Sequence, residues 1–258
     1  METAYRGLAE IYDRLMADMP YPDWIRMTRE AWSRYGVPAT VVELGCGTGN
    51  VAIPLAEQGV LVIAMDISAD MLSVAQHKAE NRPRGYGTGA SGSVHFMQQD
   101  MRDWALDEPA DCVISYCDSI NYLTEPDEVE QVFRQTYAGL KPGGLFLFDV
   151  LPPRQLKRYA EGQPYYLNAD DIAYLWTMEY DDAIHRIRHE LTIFVQDENS
   201  GLYRRIDEIH VQRAYAEDWV VSRLERCGFA DIRVAADFNW NRPPDERAER
   251  IFFAARKP

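Results

Sequence analysis

The sequence predicts an α/β protein built on a doubly wound sheet, with a smaller antiparallel sheet inserted late in the chain. Three observations predict it. Apolar runs rich in β-branched residues alternate with helical periodicity from Val41 to Val150. The first run, Val41 to Leu44, passes straight into a glycine turn, Gly45-Cys46-Gly47-Thr48-Gly49. Finally, Ile172 to Tyr180, Ile184 to Gln196 and Leu202 to Arg213 alternate in period two. No helix separates them, and parallel strands need crossover connections, so these three cannot belong to the parallel sheet.

Composition narrows the class. At 258 residues and 47% hydrophobic content the chain can build one large domain, or one domain with an insertion. Lys+Arg is 27 and Asp+Glu is 41, giving a net charge of −14. That balance argues against a nucleic-acid partner, whose binding rests on cationic contacts to phosphates. Met1 to Met19 carries charges throughout, unlike a signal peptide, and no run reaches the length of a membrane span. Cys46, Cys112, Cys117 and Cys227 lack metal-ligand spacing, so no metal is expected and a reduced, cytoplasmic setting is.

In chain order, Leu8, Ile11, Tyr12, Leu15 and Met16 fall at helical spacing within Tyr5 to Met16. After Pro20 and Pro22 a second helix runs from Asp23 to Tyr35. These helices read either as core packing or as a cap bringing tyrosines to a site. The glycine turn follows, then a helix from Val51 to Glu57. Its spacing is G-x-G-x-G, not the G-x-G-x-x-G of dinucleotide enzymes, and no Gly-Lys-Ser/Thr ending marks a P-loop. Val60 to Met65 is the second strand, closed by Asp66, where doubly wound folds place an acid on ribose hydroxyls. Ser68 suits the cap of a helix from Ala69 to Asn81. Arg82 to Ser93, rich in Gly and Ser, reads as a mobile loop. Val94 to Met97 and Asp111 to Cys117 are the third and fourth strands. A helix from Glu128 to Leu140, a Lys141-Pro142-Gly143-Gly144 turn and a fifth strand, Leu145 to Val150, complete the run. Ligands bind beyond the carboxyl ends of such strands, so Asp118 to Leu123 faces the centre of any site.

Beyond Pro152 and Pro153 the inserted strands place Ile187, Leu191, Ile193 and Val195 on one face, with a hairpin turn at Asp197 to Gly201. The helix Glu217 to Cys227, stopped by Gly228, and strands at Phe229 to Phe238 and Ile251 to Arg256 bring the main sheet to seven. The expected organisation is one domain from 1–150 and 214–258, interrupted by a 151–213 lid.

The glycine turn with Glu43 two residues before it, Asp66-Ile67-Ser68, Asp100-Met101 and the Leu140-Lys141-Pro142-Gly143-Gly144 turn keep the order of the class I S-adenosylmethionine-dependent methyltransferases, which the chain resembles from Val41 to Val150. The whole chain looks most like a group of functionally uncharacterised bacterial methyltransferases. More distantly it resembles amino-sugar N,N-dimethyltransferases, which also carry an antiparallel sheet here. The resemblance implies a Rossmann-like core and S-adenosyl-L-methionine as cofactor, with S-adenosyl-L-homocysteine as product. It places Glu43 on the methionine ammonium, with Gly45, Cys46, Gly47 and Gly49 beneath the amino acid end. It puts Asp66 on the ribose, Ile67 on the adenine face, Asp100 and Met101 at the ring edge, and Met71 and Cys117 in the same pocket.

Methyl transfer is an in-line displacement in which positioning supplies much of the acceleration. Tyr12, Asp118, Asn121 and His210 are the candidates for handling the acceptor, as groups able to orient it or take its proton. Asp118-Ser-Ile-Asn121 is not the Asn-Pro-Pro-Tyr/Phe of many base- and amide-methylating enzymes. The expected acceptor is a small molecule bearing a nucleophilic N or O. A methyltransferase of RNA or protein, and a cofactor-binding protein without transfer activity, are the alternatives. Oligomeric state stays open.

Overall fold

At the centre of the main sheet lies β1 (Thr40–Leu44), whose Val41, Val42 and Leu44 are fully buried. The structure is a computed structural model describing residues 8–81, 92–197 and 200–258. Around β1 run β2 (Leu61–Asp66), β3 (Ser93–Gln98), β4 (Ala110–Ser115), β5 (Leu140–Val150), β10 (Ala230–Ala236) and β11 (Ile251–Arg256), in the order β10-β11-β5-β4-β1-β2-β3. The first five strands are parallel; β11 is antiparallel to β5, and β10 to β11. This is the doubly wound, Rossmann-like seven-stranded sheet the sequence predicts.

Side-chain alternation builds a core on each face of the sheet. Val42, Val113, Phe146, Phe148 and Phe253 pack beneath α5 (Pro126–Gly139) and α7 (Glu217–Arg226). Val41, Val62, Ile114, Leu147 and Phe252 pack beneath α2 (Tyr21–Tyr35) and α3 (Ala52–Ala56), with Trp24, Met27 and Trp32 of α2 buried there. The helix α4 (Ala69–Glu80) starts at Ser68, whose hydroxyl accepts from the Met71 N–H. The helix α5 starts two residues earlier than expected, because Glu125 and Glu128 form a capping box around Pro126.

The second sheet is antiparallel throughout, in the order β6 (Tyr165–Asn168), β7 (Ile172–Asp181), β8 (Arg186–Gln196) and β9 (Tyr203–Arg213). It holds one strand more than predicted, and α6 (Pro153–Gly162) precedes it. Pro152 and Pro153, read as a strand end, also begin α6, since proline fits the first turn of a helix. Four residues of β6 are too few to show a period. The predicted face is present: Ile193 and Val195 pack against Leu8 and Ile11 of α1 (Ala9–Leu15), and Ile187 against Leu151 and Leu156. Helix and loop expectations at 5–7 and 82–91, and the hairpin tip at 198–199, lie outside the described residues. Among the described residues no helix is long and apolar enough to cross a membrane.

Candidate active site

Between the carboxyl ends of the main strands and the inner face of the second sheet lies a cavity of about 520 Å³. Its floor is the glycine turn, where Gly45 (φ +74°) and Gly47 (φ +53°) take left-handed backbone. A Cβ on Gly45 would sit 2.7 Å from the Ser119 hydroxyl; on Gly47 it would meet nothing within 4 Å, so its absence leaves open space. Asp66 fixes the turn, accepting from the Gly47 N–H at 2.8 Å and the Ser68 N–H at 2.9 Å. Burial raises its carboxyl above the ordinary carboxylate range despite these bonds.

Glu43 is 3% exposed. The Ala52 N–H donates to its carboxylate, while Oε2 is buried with no partner. Burial, then the neighbouring Asp66, pushes the carboxyl up to about 8. An orphaned carboxylate oxygen at the floor of a cavity is the partner a ligand ammonium requires. The expected cofactor therefore fits the groups present.

Cys46, Ile67, Met71, Met101 and Cys117 also line the cavity. Gly49 does not; a Cβ there would press on Ile53 and Phe96, so it packs the turn against α3 and β3. Asp100 lines the cavity, but both its oxygens accept from Arg102, which in turn pairs with Glu128. That guanidinium holds the Asp100 carboxyl below the usual range.

On the opposite side, Cys117 (φ +56°) and Asp118 (φ +55°) are consecutive left-handed residues at the end of β4. Such backbone costs on the order of 1 kcal/mol or more per non-glycine residue and clusters at functional sites. The surroundings hold it in place. Arg250 donates to Asp118 Oδ1 at 3.0 Å and to the fully buried Asp149, and the Asp118 N–H reaches Asp149 Oδ2 at 3.3 Å. Trp24 donates to the other Asp149 oxygen at 3.0 Å, and its ring lies 5.0 Å from the Arg250 guanidinium.

Asn121 corrects an expectation. It is wholly buried and away from the cavity. Its amide N–H groups donate to the Leu151 and Arg213 carbonyls, each at 3.0 Å, and its oxygen accepts from the Leu151 N–H at 2.9 Å. The 3-10 turn Ser119–Tyr122 swings it inward, where it ties the ends of β5 and β9 to that turn and does not line the cavity.

Tyr12 does face the cavity, from α1. Burial drives its phenol well above the ordinary range. Asp13 anchors the same helix, accepting from Thr48 at 2.6 Å and Asn50 at 2.9 Å and pairing with Lys78. The roof is the middle of the second sheet's inner face. There His210 places Nδ1 3.4 Å from the Tyr122 hydroxyl and Nε2 3.9 Å from a Glu208 oxygen. Opposite it in register is His189, with Trp176 and Gln212 close by. Burial lowers both rings to about 4, aided for His210 by His189, so both are neutral at pH 7. Tyr159, Tyr165 and Tyr174 complete an aromatic wall. Sequence reasoning missed Arg250, Asp149, His189 and Gln212. Only Gln212 carried a signal, standing two residues after His210 on the same strand face.

Comparison with known proteins bears on this site. A family profile described as Methyltransferase domain matches residues 41–144. The "Putative methyltransferase GWCH70_2453" of Geobacillus sp. (strain WCH70) is 36% identical over 255 residues, covering 98% of this chain and 99% of that one. The "Putative methyltransferase YqeM" of Bacillus subtilis (strain 168) is 34% identical over 256 residues, covering 98% and 97%. Among solved structures, an S-adenosylmethionine-dependent methyltransferase from Clostridium acetobutylicum ATCC 824 superposes with a TM-score of 0.83 at 26% identity, covering 98% of each chain. The sugar N-methyltransferase KedS8 from Streptoalloteichus sp. ATCC 53650 shares the fold, with a TM-score of 0.74 at 19% identity over 100% of this chain and 96% of that one.

Proposed function

The chain belongs to the class I S-adenosylmethionine-dependent methyltransferases, and from that premise we propose that it methylates a nucleophilic nitrogen or oxygen of a small molecule. The carrying observation is the roofed cavity. A volume of about 520 Å³ under a four-stranded sheet, walled by tyrosines and Trp176, suits a compact ligand with ring faces and a few polar groups. The net charge of −14 weighs against RNA. The 151–213 segment serves as lid and acceptor-binding unit over the cofactor domain formed by 1–150 and 214–258. The four free cysteines suit a cytoplasmic enzyme.

S-adenosyl-L-methionine supplies an electrophilic methyl group on a sulfonium. In this reading the orphaned Glu43 oxygen holds the ammonium, with Gly45 to Gly49 beneath the amino acid end and Gly47 leaving room for it. Asp66 takes the ribose through lone pairs its two amide partners leave, while Ile67, Met71, Met101 and Cys117 wall the nucleoside. Asp100, already gripped by Arg102, receives the adenine amino group at its remaining lone pairs. Asp118 and Tyr12 orient the acceptor, and His210 faces it from the roof as a neutral hydrogen-bonding group.

The test is transfer of labelled methyl groups from S-adenosyl-L-methionine by the purified chain into three acceptor pools: a deproteinised metabolite extract, ribosomes and cell protein. Label in the metabolite pool is expected. Label confined to ribosomes or protein would overturn the small-molecule reading.

A further inference from the structure

The inner face of the second sheet is apolar at both ends. Ile193 and Val195 lie under α1, and Ile187 and Met178 lie under α6. The middle breaks this pattern with Trp176 of β7, His189 of β8 and Gln212 of β9, diagonal neighbours on successive strands. His189 and Gln212 are each 4% exposed. Packing alone does not call for them, because apolar residues of similar volume hold a sheet at least as well as buried polar groups do.

The hydrogen bonds among them can be satisfied in only one direction. Trp176 Nε1 lies 3.2 Å from His189 Nδ1, and an indole N–H can only donate. His189 Nε2 lies 3.2 Å from Gln212 Oε1, and Gln212 Nε2 lies 2.6 Å from Asp118 Oδ2. A carboxylate bonded to an arginine only accepts, so the amide must turn its NH2 toward Asp118 and its oxygen toward His189. His189 then carries its proton on Nε2 and leaves Nδ1 to accept from Trp176. A donor-only group at one end and an acceptor at the other fix the tautomer between them. With Arg250 on Oδ1, both Asp118 oxygens are held by donors, on a residue whose backbone is itself left-handed.

We propose that Trp176, His189 and Gln212 form a positioning relay that fixes the Asp118 carboxylate at the methyl-accepting side of the cavity. His189 acts in it as an oriented N–H donor and not as a base. This rests on the methyltransferase reading of the cavity.

Two measurements test it. In the wild-type protein with ¹⁵N-labelled histidine, long-range proton–nitrogen spectra should show His189 in the Nε2–H tautomer at pH 7; its peaks are identified by their loss in His189→Gln. An Nδ1–H tautomer overturns the relay, and no variant needs to fold for that result beyond the one used for assignment. The second measurement uses S-adenosyl-L-methionine labelled with ¹³C in the methyl group, whose bound resonance reports the polar groups around it. His189→Leu and Gln212→Leu should shift it in the same direction, with S-adenosyl-L-homocysteine affinity within about threefold of wild type. His189→Gln, which keeps a donor toward Gln212, should restore it. An unmoved resonance in both leucine variants overturns the relay. Failure of the wild type to bind the labelled cofactor would instead remove the methyltransferase reading, while the tautomer result stands by itself.

Discussion

The floor and the roof of one cavity are built on opposite electrostatic plans. The floor sets Glu43 and Asp66 beside the glycine turn and leaves a Glu43 oxygen without a partner. The roof sets two histidines above it, kept neutral at pH 7 by burial, among tyrosines and a tryptophan. The function proposed above, with a cationic ligand below and an acceptor above, would account for the contrast. Carboxylates left short of partners are tolerated where a ligand completes them, whereas a neutral aromatic surface accommodates an acceptor without fixing its charge.

Arg250 stands at the border, shared by Asp118 and the fully buried Asp149, and its loss gives the largest expected effect. Arg250→Met removes the cation and leaves a buried carboxylate uncompensated, so unfolding free energy should fall by about 3–5 kcal/mol in urea denaturation at pH 7. A loss below about 1 kcal/mol would mean that the two acids do not depend on this charge, and the border between floor and roof would have to be drawn elsewhere.

The roof makes its own prediction with pH. His189 and His210 titrate near 6.5 in an unfolded chain and near 4 when folded. Between those values the unfolded chain binds more protons, so stability is full above pH 6.5 and falls as pH drops toward 4. For His189 the loss amounts to about 3 kcal/mol once pH lies below both values. In urea unfolding from pH 7 to about pH 4, His189→Leu should lose stability less steeply than wild type. Equal slopes would show that the ring takes up its proton in the fold as readily as in the unfolded chain, and that burial does not hold the roof neutral.

The floor was legible in the sequence and much of the roof was not, for a physical reason. Strand, glycine turn and helix are contiguous, so Glu43, Gly45, Gly47 and Asp66 carry their spatial relation in their spacing. The period-two strands announced the second sheet, and their parity announced which residues face inward. Which polar groups meet across it was not announced. Gln212 reaches Asp118 across 94 positions and Arg250 reaches Asp149 across 101, and no periodicity encodes such pairs. Asn121 misled because a polar residue at a strand's carboxyl end reads alike whether it faces a ligand or ties loops together; the 3-10 turn that decides it has no sequence mark of its own.

A floor-only perturbation should leave the roof intact. Asp66→Ala removes both the proposed ribose anchor and the acceptor for the Gly47 and Ser68 N–H groups. Affinity for S-adenosyl-L-homocysteine by titration calorimetry should weaken by about 1–3 kcal/mol. The histidine resonances of His189 and His210 should not move. Unchanged affinity would show that Asp66 is not the anchor. Shifted histidine resonances would show that floor and roof are one coupled unit.

The smallest effect is the most diagnostic of the contrast. Glu43, raised to about 8 by burial and by Asp66, is mostly protonated at pH 7. An ammonium brought against its orphaned oxygen favours the ionised form, so cofactor binding should expel a proton from this carboxyl. Release should approach one proton per site at pH 7 and fade as pH rises past 8, and affinity should therefore increase with pH across that window. Titration calorimetry of S-adenosyl-L-homocysteine in buffers of different ionisation enthalpy measures this release directly. Glu43→Gln keeps the shape, removes the titrating group, and should abolish the buffer dependence. The roof histidines offer no competing source, because they are already neutral at pH 7. Proton release that persists in Glu43→Gln would place the titrating group elsewhere in the cavity. No release in wild type would mean that Glu43 is ionised before the ligand arrives, and the orphaned oxygen would then need another cation.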